Sequence, residues 1–203
     1  MLAALKSRAV RRIFVVGQGT AAVAGQGVAH LLQGALGAIQ PSFEIRAMKA
    51  TELSAHHMCA DMSDSVVIAI SQSGTTTDTN CTVDMAREHG AHVIGIVNRR
   101  NSDLVYKSHG VLYTSDGRDI EMSVASTKAF YAQNVAGQVL ALALALGTAA
   151  SEGGALSPEQ AAQLRRLVVA GARRSLALSL LEAEMRLISD DCTSDPWRLD
   201  HTR

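Results

Sequence analysis

Aromatic side chains are scarce in this chain. They make up 3% of its 203 residues, and there is one tryptophan. A core must therefore be built from alanine, valine, leucine and isoleucine, which the 47% hydrophobic fraction supplies. Net charge is missing as well: 19 basic residues balance 19 acidic ones, and no dense basic run occurs. That excludes nucleic acid as the main partner. Cysteines are few and scattered, at Cys59, Cys81 and Cys192. They have neither zinc spacing nor the even number of a disulfide framework, so a reducing, cytoplasmic setting is expected. The apolar run 139–146 is far shorter than the roughly 20 residues a bilayer span requires, so no membrane is expected as a partner. The first twelve residues are basic without an acid, but a strand follows at once and no signal-peptide apolar segment precedes it. The length suits one α/β domain and a little more.

What is present is a repeated junction of strand, polar turn and helix. The apolar run Val66-Val67-Ile68-Ala69-Ile70 reads as a buried strand. It leads into Ser71-Gln72-Ser73-Gly74-Thr75-Thr76-Thr77-Asp78-Thr79 and then a helix expected over 79–89, closed by Gly90. A helix start exposes unpaired backbone N–H groups and the positive end of the helix dipole. Serine and threonine hydroxyls add donors without bulk, and together these make a phosphate cradle. Hydroxyls also cap helices with no ligand present. They crowd this stretch more densely than capping requires.

A second junction lies earlier. Arg12-Ile13-Phe14-Val15-Val16 is a buried strand, Gly17-Gln18-Gly19-Thr20 a turn, and a helix is expected over 21–36. Gly17 and Gly19 make only half a dinucleotide fingerprint, and no acidic residue ends a clear second strand, so a nucleotide cofactor is not indicated. Further strands are expected over 43–48, 91–97 and 111–114, with helices over 50–58, 104–107 and 125–146. His56 and His57 are adjacent and so point to different faces, a poor metal pair. No metal or other cofactor is expected. Residues 147–154 read as a small-residue linker. Ser157-Pro158-Glu159-Gln160 opens a further helix that ends near residue 188, with a loose tail after it. Alternating strands and helices predict a three-layer αβα sandwich around a five-stranded parallel sheet, followed by a C-terminal helix. Ligands of such sheets bind outside the carboxyl ends of the strands. The turns 19–21, 71–79 and 123–128 all lie there, and a small phosphorylated ligand is the economical reading.

Those turns also carry a family resemblance. The chain resembles a SIS (sugar isomerase) domain, of flavodoxin-like fold. Within that family it is most similar to the first isomerase half of the glutamine–fructose-6-phosphate aminotransferases (isomerizing), the glucosamine-6-phosphate synthases. The family's Ser-Gln-Ser-Gly-Glu-Thr-x-Asp-Thr stands here as residues 71–79, with Thr75 in place of the glutamate. Its Val-Ala-Ser-Thr-Lys-Ala-Phe is intact from Val124 to Phe130. Its Gly-Thr-Ser turn stands as Gly19-Thr20-Ala21. The resemblance implies phosphate contacts from Ser71, Gln72, Ser73 and Thr76, joined by Gly19 and Thr20, and an approach to the sugar by Val124 and Ser126. It implies a phosphorylated hexose as ligand, fructose 6-phosphate or glucosamine 6-phosphate, and a homodimer or a second SIS half as partner. Residues 1–150 would be the sugar-phosphate domain, 151–188 the linker helix and 189–203 the tail. The glutaminase domain and second half of such synthases are absent from the sequence, and with them their acid–base residues. Catalytic residues are therefore left unassigned: Glu52, His56, His57, Glu121 and Lys128 assemble into no pair. A stand-alone phosphosugar-binding or regulatory module is the alternative.

Overall fold

A computed structural model describes residues 9–37, 43–115 and 127–149. The expected linker helix over 151–188 and the tail lie outside the described residues. Five strands, β1 (Arg12–Gly17), β2 (Glu44–Lys49), β3 (Ser65–Ser71), β4 (His92–Val97) and β5 (Gly110–Tyr113), form one sheet in the order β2-β1-β3-β4-β5. Every neighbouring pair is parallel. The helices are α1 (Thr20–Leu36), α2 (Ala50–Glu52), α3 (Thr77–Glu88), α4 (Asp103–Lys107) and α5 (Thr127–Ala149), as in the expected α/β sandwich.

The strands read as unbroken apolar runs because both faces of the sheet are covered. Alternate side chains point to opposite faces. Ile13, Val15, Ile68, Ile70, Ile94 and Ile96 pack with Val28 and Leu32 of α1 and with Leu140 and Leu144 of α5. Phe14, Val16, Val67, Ala69 and Val93 pack with Leu53, Val83, Ala86 and Leu104 on the other face. Central β3 is buried along its whole length, whereas edge strand β2 fully buries Ile45 alone among its six residues.

Most boundaries fall within one residue of expectation, and three elements differ by more. The helix expected over 50–58 has one α-helical stretch, Ala50–Glu52, and continues as a π-helical turn, Leu53–His57. The wider turn buries Leu53 and leaves His56 and His57 exposed. Helix α3 starts at Thr77 rather than at residue 79. Helix α5 runs to Ala149, so the start of the stretch read as a linker is helical. Gly90 closes α3 as its composition suggested. Its φ is +93°, its N–H reaches the Arg87 carbonyl at 2.9 Å, and the Ala91 N–H reaches the Ala86 carbonyl at 2.9 Å. This is a Schellman closure, which needs the left-handed conformation that glycine adopts freely. Among the described residues no helix is long and apolar enough to cross a membrane.

The amino edge of the sheet is locked by polar contacts. Arg12 Nε donates to Asp64 Oδ1 at 3.0 Å, and its other nitrogens reach the Asp61 carbonyl and Cys59 Sγ, each at 3.0 Å. His92 and His109 stack at the same edge with ring centroids 4.3 Å apart. His109 Nδ1 accepts the Val93 N–H at 2.9 Å. Burial, and then the proximity of His109, hold His92 below its ordinary pKa of 6.5. The fold therefore favours neutral His92. Its stabilising contribution is complete above the ordinary value and is lost as pH falls from there through the lowered native value. The urea midpoint is expected to drop between pH 7.5 and pH 5.5, and to drop less in His92→Gln. Equal drops in the two proteins would show that His92 is not responsible.

Candidate functional site

The chain passes from β1 to β2 on one side, then returns to place β3 on the other side of β1. This reversal is a topological switch point, and the crevice between the carboxyl ends of β1 and β3 is where such sheets bind ligands. Val16 pairs with Ala69, so the turns after Gly17 and after Ser71 flank that crevice.

Gly19 precedes α1 with φ +57° and ψ −129°, a conformation open to glycine and strained for any side chain. It is exposed, as is Thr20, the first residue of α1. No side-chain hydrogen bond caps this helix. Gln18, in the same turn, spans the crevice: its Nε2 donates to Asp78 Oδ2 of α3 at 3.1 Å and to Thr51 Oγ1 of α2 at 3.3 Å. Three segments far apart in sequence are thereby held at one end of the sheet.

The second turn is braced from within. Ser71, the last residue of β3, is 4% exposed, and its Oγ accepts the Gly74 N–H at 2.9 Å. Ser73 Oγ accepts from the Thr75 N–H at 3.2 Å and from Thr75 Oγ1 at 3.1 Å. Both oxygens act as acceptors inside the turn, which leaves the Ser73 hydroxyl proton to be given elsewhere and that of Ser71 either to Thr76 Oγ1 or to a ligand. Thr76 takes the N-cap position of α3 but makes no side-chain cap hydrogen bond; its Oγ1 lies 3.5 Å from Ser71 Oγ. Capping therefore does not use this hydroxyl. The first turn of α3 behind it has backbone N–H groups without intrahelical acceptors. Gln72 is half-buried, and its carbonyl accepts the Arg99 N–H at 3.2 Å.

Asn80 staples the turn to its helix. Its Nδ2 donates to the carbonyls of Gly74 at 3.1 Å and Thr76 at 3.0 Å. On the other side, the Leu104 N–H reaches the Gly74 carbonyl at 3.0 Å. Gln18 and Asp78 lie within the turns read from the sequence, but neither they nor Asn80 are assigned a role there. An asparagine four residues after a threonine that opens a helix is the local signal that could have marked Asn80.

The structure thus brings Gly19, Thr20, Ser71, Gln72, Ser73 and Thr76 to one crevice. Val124, Ser126 and Glu121 lie outside the described residues. Lys128 is exposed in the first turn of α5. Glu52 pairs with Lys49 at 3.7 Å and accepts the Lys49 N–H at 3.2 Å, which ties it to the start of α2. Among the described residues no group of three His, Cys, Asp or Glu side chains is placed to hold a metal ion. The site offers neutral hydroxyl and amide donors at a helix start, an arrangement that suits an anion of phosphate size.

Comparison with known proteins identifies the family. The family described as the SIS domain matches residues 8–143. A glutamine–fructose-6-phosphate aminotransferase (isomerizing) of Corynebacterium efficiens is 39% identical over 141 residues, 68% of this chain and 21% of that protein. The chain therefore spans about a fifth of that curated relative. Among solved structures, the C-terminal domain of glucosamine-fructose-6-phosphate aminotransferase from Francisella tularensis aligns at 26% identity with a TM-score of 0.67. The alignment covers 92% of this chain and 49% of that one. The Vibrio vulnificus NanR protein, solved with ManNAc-6P, shares the fold at 19% identity and a TM-score of 0.52, over 80% of this chain and 59% of its own.

Proposed function

The chain belongs to the SIS domain family, and on that premise we propose that it binds a sugar phosphate as one half of a glutamine–fructose-6-phosphate aminotransferase-like protein. The ligand is fructose 6-phosphate or glucosamine 6-phosphate, and the setting is cytoplasmic amino-sugar synthesis. One observation carries this reading: two glycine-containing, hydroxyl-bearing turns flank the switch point, and the Thr76 hydroxyl is not used for capping. A phosphate seated there accepts from Ser71, Gln72, Ser73 and Thr76, with Gly19 and Thr20 closing the opposite wall. Val124 and Ser126 approach the sugar. The phosphate then anchors the ligand at a distance from its reacting carbons, so that binding energy orients them. The identity to the Corynebacterium efficiens aminotransferase supports this choice of sugar. Pairing with a second copy, or with a second SIS half, completes the proposal. Exposed Val23 on α1 and Val139 on α5 offer apolar surface for it.

Calorimetric titration with fructose 6-phosphate, glucosamine 6-phosphate and unphosphorylated fructose tests the reading. The two phosphates are expected to bind and fructose to bind far more weakly. Ser73→Ala is expected to cost about 1–3 kcal/mol of phosphosugar affinity, the scale of a lost hydrogen bond to a charged group. Its melting temperature should hardly move, since Ser73 is part-exposed and, among the described residues, its hydroxyl bonds to Thr75 alone. Affinity unchanged by the substitution would place the phosphate elsewhere. Sedimentation of the same samples reads the pairing, and a stable monomer at high concentration would remove it.

A further inference from the structure

The turn after β4 holds a pair of arginines that the reading above does not use. Arg99 and Arg100 follow Asn98 at the carboxyl end of the sheet and are exposed. The turn is bound to the phosphate turn along its backbone. The Arg99 N–H donates to the Gln72 carbonyl at 3.2 Å, and the Leu104 N–H donates to the Gly74 carbonyl at 3.0 Å. Asn101 adopts φ +55°, and Ser102 Oγ donates to the Arg99 carbonyl at 3.0 Å, so the arginine backbone is fixed. The two side chains differ in their engagement. The Arg100 guanidinium lies over the Tyr113 ring, 4.4 Å from its centroid. The Arg99 guanidinium makes no hydrogen bond or ion pair with any described residue.

Charge balance gives this placement its meaning. Residues 71–77 carry no charged side chain. A phosphate monoester brings close to two negative charges at neutral pH. The helix dipole of α3 offsets only about half a charge. Of the nearby acids, Asp78 accepts from Gln18 and Asp103 sits in the first turn of α4. Lys49 is paired with Glu52 beside β2, on the far side of β1. Among the described residues, Arg99 is the cation whose backbone hydrogen-bonds to the phosphate turn. A guanidinium presents paired N–H groups that match two phosphate oxygens.

We infer that Arg99 is a specificity residue of this site, which supplies the counter-charge for a phosphate monoester seated in the turn 71–76. The inference rests on the sugar-phosphate reading above. Arg100, held on Tyr113, keeps the turn in register and contributes less.

The test is titration of the full chain with fructose 6-phosphate at low and high salt, using wild type, Arg99→Gln, Arg99→Lys and Arg46→Gln. The last variant removes the same charge from β2, at the opposite edge of the sheet. Arg99→Gln is expected to weaken binding about tenfold or more, with melting temperature unchanged. It should also flatten the salt dependence, because the screened charge pair is gone. Arg99→Lys should recover part of the affinity, and Arg46→Gln should bind as wild type does. Wild-type affinity and salt dependence in Arg99→Gln would overturn the inference while leaving the phosphosugar site standing. An equal loss in Arg46→Gln would also overturn it, by showing an effect of net charge alone. A wild-type protein that binds no phosphorylated ligand would overturn both this inference and the reading beneath it.

Discussion

Gly74→Ala is expected to cost the fold about 2–5 kcal/mol and to abolish phosphosugar binding. Two independent penalties combine at this residue. Gly74 has φ +66°, a conformation that costs a residue with a side chain about 1–3 kcal/mol. An added methyl group would also overlap Ser102 Oγ, come within 2.6 Å of Ser102 Cβ and lie 3.0 Å from Val97 Cγ1. Ser102 is 3% exposed, and its Cβ sits one bond from the backbone, so a change of rotamer cannot clear the space. Overpacking of this kind adds roughly 1–3 kcal/mol. Any shift that relieves it moves the carbonyl that receives Asn80 and Leu104, and with it the N–H that Ser71 holds. Ser71, Ser73 and Thr76 would then lose their relative placement. Urea titration and calorimetry check both effects. Adding Ser102→Gly should return part of the stability, since it removes the steric penalty and leaves the conformational one. A Gly74→Ala protein of wild-type stability would mean that this turn is less tightly packed than described.

The sheet was legible because its strands announce themselves. Residues 66–70 and 93–97 are dense in β-branched or other apolar side chains, and each run ends in a polar turn. A sheet covered on both faces demands that pattern. The glycines were legible too: Gly90 and Gly74 occupy positive φ, where little else fits. The continuation of α2 was not. Ala50 to Met58 has helical composition throughout, and nothing in its periodicity separates a π turn from an α turn. The inner wiring of the site was hidden for a different reason. Gln18 reaches Thr51 and Asp78 across 33 and 60 residues of sequence, so no local pattern could join them. Hydroxyl roles were equally hidden. Ser71 and Ser73 look alike in the sequence, yet Ser71 is buried and braces Gly74 while Ser73 is part-exposed and engages Thr75. That difference is why Ser73, and not Ser71, is the variant suited to testing ligand binding. Removing the Ser71 hydroxyl would leave a buried N–H unpaired and would confound stability with affinity.

A second large effect is expected where α1 crosses α5, the face of the sheet away from α3. Each helix contributes a glycine there, and the two differ in what they face. A methyl group at Gly27 would meet the Asn134 side-chain oxygen, with the Asn134 Cγ at 3.6 Å. That amide is the far end of a rotatable side chain and can turn aside, at the cost of straining its 2.9 Å hydrogen bond to the Phe130 carbonyl. Gly27→Ala should therefore be close to neutral, because the up to about 1 kcal/mol of helix propensity that alanine recovers over a helical glycine offsets the weakened amide bond, itself worth about 1 kcal/mol. A methyl group at Gly137 would overlap Val28 Cγ2 and sit 2.8 Å from its Cγ1 and 3.0 Å from its Cβ. Val28 is fully buried, and its β-branched side chain has one strongly preferred rotamer in a helix. It cannot yield, so the helices must separate. The overpacking penalty then outweighs the propensity gain, and Gly137→Ala should lose about 1–2 kcal/mol net. The decisive measurement is a double-mutant cycle by urea unfolding. In a Val28→Ala background the added methyl has room, and Gly137→Ala should become neutral or stabilising, a coupling of contacting residues. If Gly137→Ala costs the same with and without Val28, the crossing is set by other contacts and the two helices do not meet at this pair.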